Sequence, residues 1–323
     1  MKAMLCREYG TPEDLVLTDL PDPTPGPGQV VVGVHAAAVN FPDVLFIAGG
    51  YQVKVPPPFA PGSEFAGEVL AVGDEVAFSP GDRVSGSVMV GAFAEKILVP
   101  ANSVTAIADG VDFADAAAFG VTYRTAYYAL RTVADVHPGD WVLVLGAAGG
   151  VGLAAVDLAV AMGARVIAAA STPAKLELCL ARGAAAAVDY DHEHLRDRVK
   201  EITGTGAHVV LDPVGGAYAE PALRGLGRGG TFVTLGYAAG AIPSIPLNLV
   251  MLKAITVRGM EIRTFHDDHP DTAPRDDAEL AELFASGAVR PYIGARFPLR
   301  DAAAALRHVA DRKALGKVII DIT

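Results

Sequence analysis

The chain has 323 residues and a formal charge of −11. That length exceeds what one hydrophobic core usually organises and predicts two domains, and the excess of Asp and Glu argues against nucleic acid or an anionic membrane as the main partner. With only Cys6 and Cys179 and no long uncharged apolar stretch, we predict a cytoplasmic protein without disulfides or membrane spans.

The N-terminal part of the chain has the pattern of a β-rich domain. Short apolar runs such as VVVGVHAAAV alternate with turn segments rich in Pro and Gly, such as PDPTPGPG and SPGDRVSG. Runs of this length bounded by turn residues are typical of short strands. We therefore predict a β-rich domain over residues 1–122.

From residue 123 onward, predicted strands alternate with predicted helices. The strands fall at 141–145, 165–170, 186–188, 209–211, 231–235 and 255–258, and the helices between them at 152–162, 173–182, 193–202 and 217–226. This alternation predicts a parallel sheet built from βαβ units. We assign residues 123–261 to a doubly wound α/β domain.

The last part of the chain comprises residues 262–323. It contains amphipathic helical patterns over 276–286 and 299–311 and an apolar strand over 317–322. The acidic stretch from His266 to Asp277 is broken by prolines, and we predict a solvated loop there.

A glycine-rich turn follows the strand WVLVL. The segment reads Gly146-Ala-Ala-Gly-Gly-Val-Gly152, and an apolar-faced helix follows it. Glycines let such a turn bend sharply and let a pyrophosphate approach, while the helix N-terminus supplies N–H groups and a positive dipole end. We predict that Gly149, Gly150, Val151 and Gly152 bind a dinucleotide.

The end of the next strand distinguishes NADPH from NAD. An NAD enzyme carries an acidic residue there for the ribose hydroxyls, whereas this chain has Ser171, followed by Lys175 in the first helical turn. A hydroxyl donor and a cation suit a 2′-phosphate, and Tyr190 after the following strand supplies a third donor. We predict NADPH as the cofactor. Arg182, two turns after Lys175, is expected to be a solvated surface cation outside the site.

These segments together resemble the medium-chain dehydrogenase/reductase superfamily, specifically its zinc-free NADPH:quinone oxidoreductase branch, which is similar to zeta-crystallin. The motifs that carry the resemblance are, in chain order, Val39-Asn-Phe-Pro-Asp43, Gly49-Gly-Tyr51, Pro61-Gly-Ser-Glu-Phe-Ala-Gly67, Pro80-Gly-Asp-Arg-Val84, Ala147-Ala-Gly-Gly-Val-Gly152, Asp212-Pro-Val-Gly-Gly216 and Gly316-Lys317. They span nearly the whole chain.

The resemblance implies an α/β protein with a GroES-like β-rich catalytic domain and a Rossmann dinucleotide-binding domain. The catalytic domain would comprise residues 1–122 and 262–323, and the Rossmann domain would be the insertion at 123–261. A homodimer is also implied, paired through the edge strand at 255–258.

The resemblance also allows a comparison with relatives that bind a catalytic zinc ion. Related zinc alcohol dehydrogenases hold a catalytic zinc through two cysteines and a histidine, and at the corresponding positions this chain has Asn40, Ser63 and a residue near Val121. Zinc requires several N, S or O ligands in fixed geometry, and neither cysteine lies in such a set. We therefore expect no metal.

Without a metal, the electron acceptor must be activated by conjugation. Quinones and α,β-unsaturated carbonyls accept a hydride in this way, and the protein then donates hydrogen bonds to the oxygen that gains charge. The resemblance implies Asn40 and Tyr51 as the catalytic donors, with Tyr51 also a proton source. Asp43 and Glu64 are expected to organise the site through hydrogen bonds.

Further cofactor contacts are implied by the resemblance. Thr122 and Thr125, at the predicted start of a helix, resemble the nicotinamide-contacting threonines of the family. Leu235, Gly236 and Lys317 complete the predicted cofactor site.

Three functions are compatible with these residues. Reduction of quinones or related conjugated carbonyls is favoured. Reduction of an enoyl thioester with Tyr51 as proton donor is the closest alternative, although no cluster of Lys and Arg is evident for the phosphates of such a substrate. The third is a non-catalytic NADPH-binding protein.

Overall fold

The computed structural model describes residues 1–322, and the chain divides into two compact units. The first unit contains Met1–Val121 and the chain from Pro291 onward, and the second contains Thr122–Arg290. The domain bounds predicted from the sequence, 1–122 with 262–323 and 123–261, stay a prediction. In the structure, residues 262–290 group with the second unit.

The first unit begins with a series of strands and a short helix of about two turns. In chain order the elements are β1 (Lys2–Leu5), β2 (Val16–Asp19), β3 (Gln29–Val39), α1 (Phe41–Ile47), β4 (Glu64–Val72), β5 (Arg83–Ser87), β6 (Lys96–Pro100) and β7 (Val104–Ala106). Helix α2 (Phe113–Tyr128) continues from the first unit into the second and is followed by a π-helical turn, Ala129–Val133.

The second unit then alternates strands and helices, as the sequence predicts. The elements are β8 (Trp141–Leu145), α3 (Gly150–Ala161), β9 (Arg165–Ala170), α4 (Pro173–Ala181), β10 (Ala186–Asp189), α5 (Leu195–Thr203), β11 (Ala207–Asp212), α6 (Ala219–Gly225), β12 (Leu226–Thr234), α7 (Leu247–Lys253), β13 (Thr256–Gly259), α8 (Phe265–Asp268) and α9 (Ala273–Ala285). The chain returns to the first unit through β14 (Ile293–Pro298), α10 (Ala302–Ala310) and β15 (Lys317–Asp321).

The sheet of the first unit is organised around β3. This strand pairs antiparallel with β15, β4 and β6. Alternate residues Val30, Val32 and Val34 enter the main core of the unit, because successive side chains of a strand point to opposite faces. An irregularity in the pairing with β4 between Val34 and Ala36 changes which residues face this core. Beyond it, Ala36 and Ala38 pack with the alanines in the first half of α2, where small side chains allow a helix to lie close to the sheet.

The sheet of the second unit is parallel throughout, in the order β10–β9–β8–β11–β12–β13. With the strands renumbered from β8, this is the 3-2-1-4-5-6 order of the doubly wound dinucleotide-binding sheet. Residues 142–145 of β8 are all buried, as expected for a strand that is covered on both faces. The prediction of an α/β protein with a Rossmann sheet is confirmed.

The prediction of a solvated loop from His266 to Asp277 is wrong about the loop, although most of the stretch is exposed as predicted. Helix α8 and the first turn of α9 lie in this stretch, and the Asp276 side chain is fully buried. The Asp276 carboxylate accepts hydrogen bonds from Thr132 Oγ1 at 2.6 Å and from Arg275 Nη2 at 2.6 Å. Acidic composition suggested solvent, but a buried carboxylate is stable when it is paired in this way.

Two further differences from the predicted elements concern helices. Thr122 and Thr125 lie inside α2 and not at the start of a helix, since α2 is continuous from Phe113. Helix α7 was not predicted. Cys6 and Cys179 are both buried. Within residues 1–322 no helix has the length and apolar character needed to cross a membrane.

Candidate functional site

The carboxyl ends of the parallel strands bring most of the predicted cofactor residues to one edge of the second unit's sheet. In open sheets of this order, ligands bind outside the carboxyl ends of the strands, beside the point where the strand order reverses. Here that point lies between β8 and β11. The segments that follow the strand ends there contain Gly146 to Gly152 after β8, Ser171 after β9, Tyr190 after β10, and Leu235 and Gly236 after β12.

The glycine turn after β8 packs too closely for side chains. A Cβ atom on Gly152 would lie 2.1 Å from the carbonyl oxygen of Gly146, and Gly146 itself has a φ of +58°, a conformation that favours glycine. Helix α3 begins at Gly150 with Gly149 as its N-cap and has no acidic residue in its first turn. Free N–H groups and the positive end of the helix dipole at this turn therefore fit a pyrophosphate.

Two of the residues predicted for a 2′-phosphate, Ser171 and Lys175, are in contact in the structure. Lys175 Nζ donates a hydrogen bond to Ser171 Oγ at 3.3 Å. Tyr190 follows β10, the strand beside β9, and its backbone N–H donates to the carbonyl oxygen of Ala170 at 3.2 Å. A hydroxyl and an ammonium group at this strand end suit a phosphate.

Asp212 begins one of the motifs that carry the resemblance, but the sequence analysis gave it no role of its own. Its Oδ1 accepts hydrogen bonds from the backbone N–H groups of Val214 at 2.8 Å and Gly215 at 2.7 Å, and its backbone oxygen accepts from Leu235 N at 2.9 Å. Burial raises the pKa of this carboxyl above its ordinary value. Asp212 therefore shapes the loop after β11 and ties it to the predicted cofactor residue Leu235.

Thr122 and Thr125 lie one turn apart on α2, and both are buried. Residues three apart share one face of a helix. The structure thus presents the two threonines on the same face, as a shared contact with one group would require. Their assignment to the nicotinamide remains a prediction.

A buried polar cluster in the first unit contains Asn40, Ser63, Glu64 and Lys317. Asn40 is the N-cap of α1, and its Nδ2 donates to Glu64 Oε2 at 3.1 Å and to Ser63 Oγ at 3.3 Å. Its Oδ1 accepts from Lys317 Nζ at 2.7 Å. Both amide hydrogens of Asn40 therefore have partners inside the cluster, which its prediction as a substrate donor did not anticipate.

Glu64 and Lys317 form an ion pair at the centre of this cluster. Their side chains are 1% and 3% exposed, and Lys317 Nζ lies 3.1 Å from Glu64 Oε2. Glu64 Oε1 accepts a further hydrogen bond from the backbone N–H of Val121 at 2.6 Å. Buried charges are tolerated when they are paired and fully hydrogen-bonded. We predicted that Lys317 contacts the cofactor. In the structure its ammonium group lies beside the amide of Asn40.

Asp43 lies in the first turn of α1 and is completely buried. Its Oδ2 accepts a hydrogen bond from the backbone N–H of Asn40 at 2.7 Å, which fixes the start of the helix. Burial raises the pKa of Asp43 to about 7, although the bond from Asn40 N, a bond from Ser63 and the charge of Lys317 act in the opposite direction. The carboxyl therefore titrates near neutral pH.

Tyr51 follows α1 in the chain. Its ring packs against Phe46 with the ring centroids 4.5 Å apart, and it lies half-buried against the core of the first unit. The packing holds the phenol beside the helix that Asn40 begins. Its catalytic role remains a prediction.

The second unit combines a doubly wound sheet with a glycine turn and a strand end that carries a hydroxyl and an ammonium group, and the first unit is β-rich with a buried polar cluster. These features are typical of dinucleotide-dependent oxidoreductases with two domains. Comparison with known families agrees. Residues 26–109 match the alcohol dehydrogenase GroES-like domain, and residues 150–275 match the zinc-binding dehydrogenase family.

Individual relatives are similar over the full length. The quinone oxidoreductase-like protein 2 homolog of Nematostella vectensis is 38% identical, with 99% of this chain and 88% of the relative covered. The Escherichia coli quinone oxidoreductase, solved in complex with NADPH, is 30% identical with a TM-score of 0.91 and full coverage of both chains. A mycobacterial protein, also solved with NADPH, is 34% identical with a TM-score of 0.91 and full coverage of both chains.

The chain therefore belongs to the medium-chain dehydrogenase/reductase superfamily, among its quinone oxidoreductase-like members, and it is an oxidoreductase. The family model that matches residues 150–275 is described as zinc-binding. Within residues 1–322, however, no three His, Cys, Asp or Glu side chains lie together as ligands for a metal ion.

The raised pKa of Asp43 predicts a pH-dependent stability. Because the folded chain holds this proton more tightly than the unfolded chain, the stabilisation is full below the unfolded pKa near 3.9 and is lost as pH rises through about 7. The Asp43→Asn variant lacks this loss. Between pH 5 and pH 7 the wild type should lose about 2 kcal/mol of unfolding free energy relative to Asp43→Asn in urea titrations. The exposed Asp74→Asn change should leave the dependence intact, and parallel curves for Asp43→Asn and wild type would contradict the assignment.

Proposed function

We propose that the protein reduces quinones or related conjugated carbonyls with NADPH and without zinc. The observation that carries the choice of cofactor is the contact of Lys175 Nζ with Ser171 Oγ at the end of β9, where a 2′-phosphate requires a cation and a hydroxyl. The similarity to two NADPH-complexed structures supports it. The choice of acceptor is supported by the relatives named quinone oxidoreductases.

The residues that would hold NADPH are distributed over the carboxyl edge of the sheet and α2. The first turn of α3 would receive the pyrophosphate, Ser171, Lys175 and Tyr190 the 2′-phosphate, and Thr122 and Thr125 the nicotinamide half. When bound, NADPH supplies the hydride. The protein's task is then to orient donor and acceptor and to stabilise the charge that develops on the acceptor oxygen.

Independence from zinc is supported by the content of the polar cluster. Asn40 and Ser63 stand where the zinc enzymes of the superfamily have thiolate and imidazole ligands, and neither favours zinc as those groups do. The Lys317 ammonium already neutralises Glu64 at 3.1 Å and bonds Asn40 at 2.7 Å. A divalent cation placed there would have to overcome the repulsion of a buried positive charge.

At the acceptor we propose Tyr51 as the proton source and Asn40 as a hydrogen-bond donor. Reduction of a quinone to a hydroquinone takes up one hydride and one proton, and a phenol is a suitable proton donor. For Asn40 to donate to the acceptor oxygen, its 3.3 Å bond to Ser63, the longer of its two Nδ2 bonds, must be exchanged. Lys317 and Glu64 would keep the amide oriented during that exchange.

The cofactor choice is tested by Lys175→Ala. Loss of a charged hydrogen-bond donor to the 2′-phosphate should raise the KM for NADPH about tenfold or more and leave the KM for NADH unchanged. Steady-state oxidation of each cofactor followed by absorbance measures this. Lys313→Ala, on the exposed surface of the first unit, should change neither value. Equal catalytic efficiency of the wild type with NADH and NADPH would rule the cofactor choice out.

The acceptor is tested with a panel of quinones and crotonyl-CoA. We expect quinone reduction by the wild type and a kcat about 100-fold lower in Tyr51→Phe, the scale of a positioned general acid. Tyr9→Phe is the matched control, because this tyrosine also belongs to the first unit and donates its hydroxyl to Val55 O at 2.9 Å. Reduction of crotonyl-CoA alone would show the enoyl thioester alternative to be the activity, and absence of turnover with every acceptor would favour a non-catalytic role.

We also propose a homodimer in the cytoplasm that pairs through β13. This strand is at the end of the second unit's sheet, and an unpaired strand edge is a template for pairing with another chain. Exposed apolar side chains are concentrated on β13 and in the segment before it, namely Ile242, Leu247, Met251, Leu252 and Val257. Such clustering is typical of an interface.

Charges introduced into this segment should disrupt the dimer. We expect the wild type to have the mass of two chains in light scattering after size exclusion, and the Met251→Glu/Leu252→Glu variant to have the mass of one. Leu180→Glu, an equally apolar exposed position on α4, should not change the mass. A monomeric wild type would overturn the proposal.

A further inference from the structure

A buried carboxylate in the second unit connects three helices that carry different parts of the proposed cofactor site. Asp157 lies in the middle of α3 and is 7% exposed. Its Oδ2 accepts a hydrogen bond from Tyr123 Oη at 2.6 Å, and its Oδ1 accepts one from Arg182 Nε at 2.8 Å. Arg182 Nη2 bonds the same carboxylate, so the guanidinium contact is bidentate.

Each partner of Asp157 belongs to a helix with its own predicted contact to NADPH. Tyr123 lies on α2 between Thr122 and Thr125. Arg182 is the C-cap of α4, the helix whose first turn contains Lys175. Asp157 itself is on α3, whose first turn follows Gly149. The prediction that Arg182 is a solvated cation is therefore wrong, since its side chain is 28% exposed and paired.

The protonation states favour a fixed network. Burial, reinforced by the charge of Asp157, raises the pKa of Tyr123 above its ordinary value, so the phenol retains the proton that it donates. The bonds to Asp157 raise the pKa of Arg182 as well. Charge-assisted hydrogen bonds of this kind are short and directional. The three helices are consequently held at one point and cannot shift independently without breaking a buried bond.

The same network also fixes both ends of the second unit's chain. Tyr123 is the second residue of this unit, and Arg290 is the last. Arg182 Nη2 donates to the backbone oxygen of Arg290 at 2.6 Å. The segments through which the chain enters and leaves the unit are thus both attached to Asp157, one directly and one through Arg182.

We propose that Asp157 is a positioning residue that sets the spacing between the nicotinamide, pyrophosphate and 2′-phosphate contacts of NADPH. The proposal rests on the proposed function of this unit as an NADPH site. Ligand parts that bind to fixed, correctly spaced subsites gain affinity from their connection, whereas mobile subsites lose that gain. The network therefore contributes to the affinity for the whole dinucleotide beyond the affinities for its parts.

The proposal is tested by separate removal of the two contacts to Asp157, the hydrogen bond from Tyr123 and the ion pair with Arg182. Tyr123→Phe detaches α2 and leaves the α3–α4 contact through Arg182 intact. Its Kd for NADPH should rise about fivefold, the lower end of typical coupling between sites, while its Kd for adenosine 2′,5′-bisphosphate, which lacks the nicotinamide half, should stay within about twofold of the wild type. Arg182→Gln detaches α4 and should weaken both ligands.

Tyr127→Phe is the matched control. This tyrosine is on the same helix and also donates a hydrogen bond to a carboxylate, Glu279 Oε2 at 2.6 Å, but not to α3. It should change neither Kd. Titration calorimetry on the full chain gives all values, and thermal melting verifies that each variant is folded at the assay temperature.

The outcomes separate this inference from the proposed function. If the wild type binds neither NADPH nor adenosine 2′,5′-bisphosphate, the proposed function fails. If the wild type binds both but Tyr123→Phe leaves the ratio of the two Kd values unchanged, the positioning role is overturned. It is equally overturned if Tyr127→Phe alters the ratio as much, because the effect would then reflect a general loosening of α2. If Arg182→Gln is unfolded, the comparison of Tyr123→Phe with Tyr127→Phe still decides whether Asp157 has the positioning role.

Discussion

The close approach of α3 to the carbonyl oxygen of Gly146 is the constraint on which the second unit depends. A Cβ on Gly152 would lie 2.1 Å from that oxygen, so the helix begins against the strand end only because the residue has no side chain. The position of α3 in turn places its first-turn N–H groups beside the switch point of the sheet, and it brings Asp157 between Tyr123 and Arg182. Backbone sterics at one turn thus determine both an anion-binding helix end and the polar contact that secures it.

The constraint in the first unit is a different one, because polar side chains are buried inside a small β-rich core. Glu64 is almost completely buried, and such a carboxylate is stable only with compensation. Lys317 Nζ, Asn40 Nδ2 and the backbone N–H of Val121 supply it. The result is a rigid amide with defined orientation, Oδ1 toward the ammonium and Nδ2 toward the carboxylate. A protein cation thereby performs the neutralising task that a bound ion performs in other enzymes.

Local sequence patterns predicted the second unit well, because the residues that determine its strands, helices and turns lie close together in the chain. Strands Trp141–Leu145 and Arg165–Ala170 match their predicted bounds, and the glycine turn, Ser171 and Lys175 follow from position relative to those strands. The contacts that local patterns did not predict depend on distant partners. The stretch from His266 is acidic, yet Asp276 is buried against Thr132, 144 residues away in the chain. Lys317 and Asn40 are 277 residues apart, and Arg182 pairs with Asp157 on another helix. No periodicity in one segment reports such contacts.

The return of the chain to the first unit has a consequence for synthesis. Strand β15 pairs with β3 from Val318 opposite Val39 to Asp321 opposite Ala36, so β3 gains this neighbour only after residues 40–317 have been made. The second unit is one continuous segment, Thr122–Arg290, and its βαβ units can form as they leave the ribosome. Until residue 317 emerges, Glu64 lacks its ammonium partner. The first unit is therefore completed only after the second has been made. A nascent chain stalled before β15 would expose an unpaired strand edge and a carboxylate without its ammonium partner to the quality-control machinery of the cell.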